Sequence, residues 1–111
     1  MDIVNNNELR NRHSSIGEYT NYYSIYEDDK IIGFSAVNKD SNNMIYVYVE
    51  PHYRGNGFGT RIFNEMVKMF KNDIILTVET SNVVMNRIIN HYNPIINFKN
   101  TDICIYQIKI N

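Results

Sequence analysis

The residues best suited to chemistry form a glycine-rich run between a strand-like and a helix-like segment. Gly55, Gly57 and Gly59 alternate along the chain, and Arg54 stands directly before them. Glycine lets a backbone approach an anion closely. The first N–H groups of a helix have no partner within the helix, and they lie at its positive end. Together with the cation of Arg54, this arrangement predicts a phosphate-binding loop.

Two common phosphate loops do not match this spacing. The ATP-type loop requires a Lys followed by Ser or Thr after its second glycine, and the dinucleotide fingerprint requires G-x-G-x-x-G. Neither spacing occurs around Gly57. A purely structural turn is the remaining alternative, and it is disfavoured because each glycine within a helix costs about 1 kcal/mol.

Two regular elements are predicted to position the loop. The β-branched and aromatic run 44–49 is typical of a strand, and Pro51 ends it because proline cannot donate to a sheet ladder. Downstream, a helix is predicted to about Lys71 because apolar residues recur at helical spacing. These residues are Phe58, Ile62, Phe63, Met66, Val67 and Phe70.

The remaining pattern predicts a mixed α/β fold. The first eighteen residues predict a short helix or a flexible arm. A β-hairpin follows at 22–27 and 30–37, because Asp28-Asp29 supplies turn residues. The apolar run 74–78 is typical of a buried parallel strand. We expect a second helix from Ser81 or Asn82 to about Tyr92, and then an antiparallel pair at 95–98 and 103–108.

Composition limits the class of protein. The 111 residues are 43% hydrophobic and 21% charged, which predicts one globular domain over residues 1–111. The formal net charge of -1 gives no case for a nucleic-acid or membrane partner. Cys104 is the single cysteine, which indicates a reducing compartment. Because the first residues are polar, unlike a signal peptide, we expect a cytoplasmic protein. We expect no metal site, because no residues have metal-ligand spacing.

The loop and its lead-in resemble those of a known superfamily. Val49-x-Pro51-x-Tyr53-Arg54-x-x-Gly57-x-Gly59 resembles the pyrophosphate loop of the GNAT superfamily, the acyl-CoA-dependent N-acyltransferases. The element order extends this resemblance from about Tyr22 to Ile110. It implies a mostly antiparallel sheet with a central, splayed pair of parallel strands and flanking helices. Members usually carry two helices over the acceptor site between their first two strands, whereas this chain has room for one short helix.

The resemblance implies that acetyl-CoA is the cosubstrate and that its pantetheine arm pairs with the strand 44–49 like an added strand. It also implies a β-bulge near Val47 or Tyr48 that aims a backbone N–H at the thioester oxygen. The implied cofactor-binding residues are Val47, Val49, Arg54, Gly55, Asn56, Gly57, Phe58, Gly59, Thr60 and Asn86.

The implied reaction is direct attack of an amine on the thioester, which asks for a base and a proton donor. In the family a tyrosine on the second helix often donates the proton, and Tyr92 is the tyrosine of that segment. Its surroundings match the family pattern imperfectly, so a core or rim tyrosine is the alternative. Glu79 is the candidate base, against an ordinary exposed carboxylate. Tyr46 and Tyr48 share a strand face and either line the acceptor cleft or pack under a helix.

These inferences predict an acetyl-CoA-dependent N-acetyltransferase that acts on a primary amine. A short segment over the acceptor site favours an extended acceptor such as a protein lysine. A small-molecule amine is one alternative, and a non-catalytic CoA-binding or protein-interaction module is the other. The terminal strand 103–110 is apolar on both faces for much of its length. Since exposed edges of this kind are usually covered, it predicts a homodimer, and a strand packed between the second helix and its neighbours is the alternative.

Overall fold

The chain forms two antiparallel sheets that meet along one pair of strands. The computed structural model describes residues 1–12, 19–38 and 44–110. In chain order the regular elements are β1 (Asp2–Asn5), α1 (Leu9–Arg12), β2 (Asn21–Glu27), β3 (Lys30–Asn38), β4 (Met44–Val49), α2 (Phe58–Val67), β5 (Ile74–Glu79), α3 (Val83–Asn90), β6 (Ile95–Lys99) and β7 (Ile103–Ile108).

The first sheet has the strand order β1-β2-β3-β4, and every neighbouring pair is antiparallel. The predicted hairpin is confirmed as β2 and β3. Its turn places Asp28 and Asp29 at φ of 50° and 64°, the left-handed geometry that tight hairpin turns require. Strand β1 was not predicted, because four residues carry too little alternation and the strand depends on pairing with β2.

The second sheet has the order β5-β7-β6, again antiparallel throughout. The terminal strand β7 therefore lies in the middle of its sheet, and β6 forms the edge. All residues of β6 are exposed, including Ile95, Ile96 and Phe98. The expectation that β7 forms an edge was wrong, because β7 pairs with β5 on one side and with β6 on the other. The homodimer itself stays a prediction.

No backbone ladder joins β4 to β5, although the two strands lie side by side. The predicted splay between them is confirmed, and with it the fold class. One apolar core packs against one face of both sheets and includes the inner faces of both helices. Helix α2 contributes Ile62, Phe63 and Met66, and α3 contributes Ile88 and Ile89. Because both helices pack into this common core, they flank the gap.

The opposite face of the first sheet is aromatic. Tyr22 and Phe34 are buried there with Leu9 of α1, and Tyr46 and Tyr48 of β4 pack against them. The Phe34 ring lies 5.6 Å from the Tyr46 ring and 5.3 Å from the Tyr48 ring, centroid to centroid. Throughout the part of the chain that the structure describes, the helices are too short or too polar to cross a bilayer.

Candidate functional site

The loop between β4 and α2 has the backbone geometry of an anion site. After a short 3-10 helix at Pro51–Tyr53, Gly55 and Gly57 both adopt φ of 80°, a region that strains other residues. Gly57 is the N-cap of α2, and no side chain caps this helix end. The first N–H groups of α2 therefore remain open to an anion.

Gly59 has a different role from the other two glycines. It lies inside α2, and a Cβ added there would meet Ile88 Cδ1 at 3.7 Å and Val49 Cγ2 at 3.9 Å. These are ordinary contact distances, so neither backbone strain nor a clash demands a glycine. The distances show instead that the first turn of α2 packs closely against both β4 and α3.

Arg54 is held beside the loop by two contacts. Its Nε donates a hydrogen bond to the Val49 carbonyl at 2.8 Å, and its guanidinium lies 5.3 Å from the centre of the Tyr48 ring. The predicted residue Asn56 turns the other way. Its Nδ2 donates to the carbonyls of Tyr53 and Arg54 at 3.3 and 3.4 Å, so its side chain braces the loop and does not line the groove described next.

A groove of about 670 Å³ runs between β4, the glycine loop and α3. Ten of the residues that the sequence predicted as cofactor- or substrate-binding line it: Tyr46, Val47, Tyr48, Val49, Arg54, Gly55, Gly57, Phe58, Gly59 and Thr60. The sequence reasoning missed the lining residues Tyr53, Asn82, Val84, Met85, Arg87 and Ile88. The spacing of Val84, Arg87 and Ile88 places them on one helix face, which was the available signal.

A smaller cavity of about 270 Å³ adjoins the groove between β4 and β5. Tyr46, Val47, Asn82 and Met85 line both spaces, so they form the junction. Glu79 of β5 lines the cavity and is the one ionisable acid or base among its described lining residues besides two tyrosines. One of these is Tyr19, whose pKa is raised by burial first and then by the nearby phenols of Tyr46 and Tyr22.

Strand β4 presents a straight edge to the gap. It pairs with β3 without a register shift from Met44 opposite Asn38 to Val49 opposite Gly33. The bulge expected near Val47 or Tyr48 is therefore not formed, and the irregularity lies instead between β2 and β3 at Ile25/Tyr26. Because β4 is the last strand of its sheet, half of its backbone N–H and C=O groups face the gap and are available to a ligand.

Asn86, which the sequence predicted as cofactor-binding, is not among the residues that line the groove. Its Nδ2 donates to the backbone carbonyls of Glu79 at 3.0 Å and Asn82 at 2.8 Å. Its Oδ1 accepts a 2.5 Å hydrogen bond from the hydroxyl of Tyr106 on β7. The amide is thus occupied by protein groups, and it ties the start of α3 to the end of β5 and to the second sheet.

Tyr92 lies just beyond α3 and packs against Phe63. Its ring meets the Phe63 ring edge-on, with centroids 5.6 Å apart, and its hydroxyl donates to Asn64 Oδ1 on α2. Burial raises the pKa of this phenol. The cavity that it lines, about 760 Å³, shares no lining residue with the groove or the smaller cavity. The assignment of Tyr92 as proton donor stays a prediction.

Arg61, in the first turns of α2, is a further cation near the loop. It pairs with Glu27 at 3.6 Å and does not line the groove. Within residues 1–12, 19–38 and 44–110, no three His, Cys, Asp or Glu side chains come together as metal ligands would.

The sequence and the fold are both similar to those of known proteins. A sequence profile described as "Acetyltransferase (GNAT) family" matches residues 4–89. No curated protein is significantly similar in sequence. Among solved structures, the Campylobacter jejuni N-acetyltransferase PseH in complex with acetyl coenzyme A is similar, with a TM-score of 0.71 and 18% identity over 95% of this chain and 79% of that one.

Two further structures show the same fold at similarly low identity. An acetyltransferase of the GNAT family from Streptococcus pneumoniae has a TM-score of 0.69 and 16% identity, over 94% of this chain and 74% of that one. A spermidine N-acetyltransferase chimera, SpeG from Vibrio cholerae and hSSAT, has a TM-score of 0.69 and 16% identity, over 92% of this chain and 73% of that one.

Proposed function

The chain belongs to the GNAT family of acetyltransferases, with acetyl-CoA as cosubstrate, and on that premise we propose that it acetylates the terminal primary amine of a small cationic molecule. The observation that carries this proposal is the separation of charge along the cleft. Among the described lining residues, those of the groove include Arg54 and Arg87 but no carboxylate, and those of the adjoining cavity include Glu79 but no Lys or Arg.

The cationic end suits the phosphates of CoA. The open N–H groups of α2, its positive helix end and Arg54 converge on one side of the groove. From there the edge of β4 leads to the junction at Tyr46 and Val47. An extended pantetheine arm that pairs with β4 would therefore carry the thioester to the mouth of the cavity.

The anionic end suits a protonated amine. The carboxylate of Glu79 attracts the ammonium group and can take its proton, directly or through water, before attack. The neutral nitrogen then forms a bond to the thioester carbon while a backbone N–H of β4 stabilises the oxyanion. When the carbon–sulfur bond breaks, the thiolate takes a proton from a donor, and the nitrogen gives up its second proton to water or to the deprotonated donor. Tyr46, which lines both spaces, is our candidate donor, because Tyr92 lines a separate cavity and donates to Asn64.

The size of the cavity favours a slender acceptor. A space of about 270 Å³ between β4 and β5 accommodates an aminoalkyl chain, such as the end of a polyamine. The similar SpeG protein is described as a spermidine N-acetyltransferase. A protein lysine ends in the same group and is the second candidate. The one described helix between β1 and β2, α1, has four residues, and so short a segment over the acceptor site favours an extended acceptor.

Calorimetry with acetyl-CoA tests the cosubstrate first. We expect micromolar binding by the wild-type protein and a loss of about a hundredfold in Arg54→Glu, because a charge-assisted contact is replaced by repulsion. The matched control is Arg61→Glu, which reverses a charge outside the groove and should bind normally. Absence of binding by a folded wild-type protein would overturn the proposal.

Thiol release with spermidine, and separately with a lysine-containing peptide, then tests the acceptor. We expect faster turnover with spermidine, and Glu79→Gln should raise its KM. Turnover with the peptide alone would assign the lysine candidate instead. If the protein binds acetyl-CoA but releases no thiol with either amine, the assigned acceptor class is wrong.

A further inference from the structure

We propose that Arg87 of α3 is a second cation for the CoA pyrophosphate and acts from the wall opposite Arg54. This inference rests on the proposed use of acetyl-CoA. Arg87 lines the groove together with Val84 and Ile88. Residues three and four apart share one helix face, so this face of α3 looks into the groove across from the glycine loop.

Arg87 lies at the level of the loop because of the packing of its neighbour. Ile88 Cδ1 is 3.7 Å from the position that a Cβ of Gly59 would occupy. The last turns of α3 therefore touch the first turn of α2, where the open N–H groups lie. A phosphate held by those groups is within reach of a long side chain that leaves α3 one residue before Ile88.

No carboxylate in the described part of the chain forms an ion pair with the guanidinium of Arg87. Within the described ranges the ion pairs join Met1 to Glu27, Arg61 to Glu27 and Lys68 to Glu65. Arg87 is exposed on the surface of the groove, so binding an anion does not first require breaking an ion pair. Its planar fork of donors suits two phosphate oxygens at once.

Arg54 alone does not neutralise the charge of the pyrophosphate. Its Nε is committed to the Val49 carbonyl and its plane to the Tyr48 ring. A pyrophosphate carries charge on two phosphoryl groups, and one partly committed guanidinium neutralises half of it. A second arginine on the facing wall completes the neutralisation and joins the two walls through the ligand.

Calorimetry with CoA and with dephospho-CoA, which lacks the 3′-phosphate, tests the assignment. For Arg87→Ala we expect an affinity loss of about tenfold with both ligands, because both keep the pyrophosphate. Arg87→Lys should recover part of the loss, since it keeps the charge but not the fork. Arg61→Ala is the control and should change neither affinity. Thermal unfolding of each variant checks that the fold is intact.

The outcomes separate this inference from the proposed function. A loss with CoA that disappears with dephospho-CoA would place Arg87 on the 3′-phosphate and overturn the assignment. Unchanged affinity of Arg87→Ala for both ligands would also overturn it, while wild-type binding still upheld the proposed function. If the wild-type protein binds neither ligand, both proposals fail together.

Discussion

The two walls of the cleft are built in different ways. The first wall runs from β4 through the glycine loop into α2, over the continuous segment 44–67. Its functional geometry lies in the backbone, in the positive φ of Gly55 and Gly57 and in the free edge of β4. The second wall is β5 and α3. It is held by side chains that reach far along the chain, such as the hydrogen bond from Tyr106 to Asn86.

The two walls also contribute differently to the cleft. The first wall supplies the open N–H groups and Arg54, and it carries Tyr46 at the junction. The second wall sets the width of the cleft, because Asn86 fixes the start of α3 to the end of β5. We therefore expect changes in the backbone of the first wall, or in Arg54 or Tyr46, to alter binding or rate. Changes in the side chains that hold the second wall in position, such as Asn86, should alter stability and KM together.

Tyr46→Phe tests the first wall most severely. If this hydroxyl protonates the departing thiolate, kcat should fall by about a hundredfold, and the dissociation constant for acetyl-CoA should not change. Tyr92→Phe removes a hydroxyl of the same kind outside the cleft and serves as the matched variant. A fall in kcat for Tyr92→Phe, with Tyr46→Phe active, would reverse the assignment and support the sequence-based prediction.

Asn86→Ala tests the second wall. It removes the 2.5 Å hydrogen bond of the buried Tyr106 hydroxyl and one of the two hydrogen bonds that the Glu79 carbonyl accepts, which should cost about 2 kcal/mol of unfolding free energy. We also expect the KM for acetyl-CoA to rise more than kcat falls. Urea unfolding and steady-state kinetics measure the two effects. Asn97→Ala, which removes an exposed hydrogen bond to Gln107 Oε1, should change both far less.

The glycines sharpen the contrast within the first wall. Gly57→Ala forces a side chain into a left-handed conformation and should cost about 1 kcal/mol, with weaker acetyl-CoA binding. Gly59→Ala should add roughly 1 kcal/mol of stability, because alanine is the better helix former and its Cβ would make ordinary contacts. Urea titrations of the two variants give the comparison. Equal losses in both would show that α2 and α3 cannot tolerate the added methyl group.

The smallest effect concerns the start of β5. Asp73 accepts hydrogen bonds from Gln107 Nε2 at 3.0 Å and from the Ile110 N–H at 3.1 Å, and the Gln107 bond is the main reason that its pKa lies below the usual value. A carboxyl group whose pKa is lowered in the folded state stabilises the fold at pH values above its unfolded-state pKa. This stabilisation is lost as the pH falls through the folded-state pKa. The urea midpoint of Asp73→Asn should therefore depend less on pH between about 5 and 3 than that of the wild type.

Prediction from the sequence succeeded where interactions are local. The strand at 44–49, the hairpin turn at Asp28-Asp29 and the loop at Gly55–Gly59 all depend on neighbouring residues, and each was placed to within a residue or two. Helix α2 ends at Val67, four residues earlier than expected. The strand β1 was missed because its pairing partner β2 lies more than fifteen residues away.

The sequence by itself determined that this chain carries an anion-binding strand–loop–helix unit. Glycine conformation, open helix N–H groups and the adjacent arginine all belong to one short stretch, whose backbone chemistry needs no distant partner. Only the tertiary structure decided which residues face that unit. Arg87 and Glu79 reach the cleft, and Asn86 and Tyr92 turn away from it, because packing against β7 and α2 orients the second wall. Such contacts join residues far apart in the chain, and local spacing does not encode them.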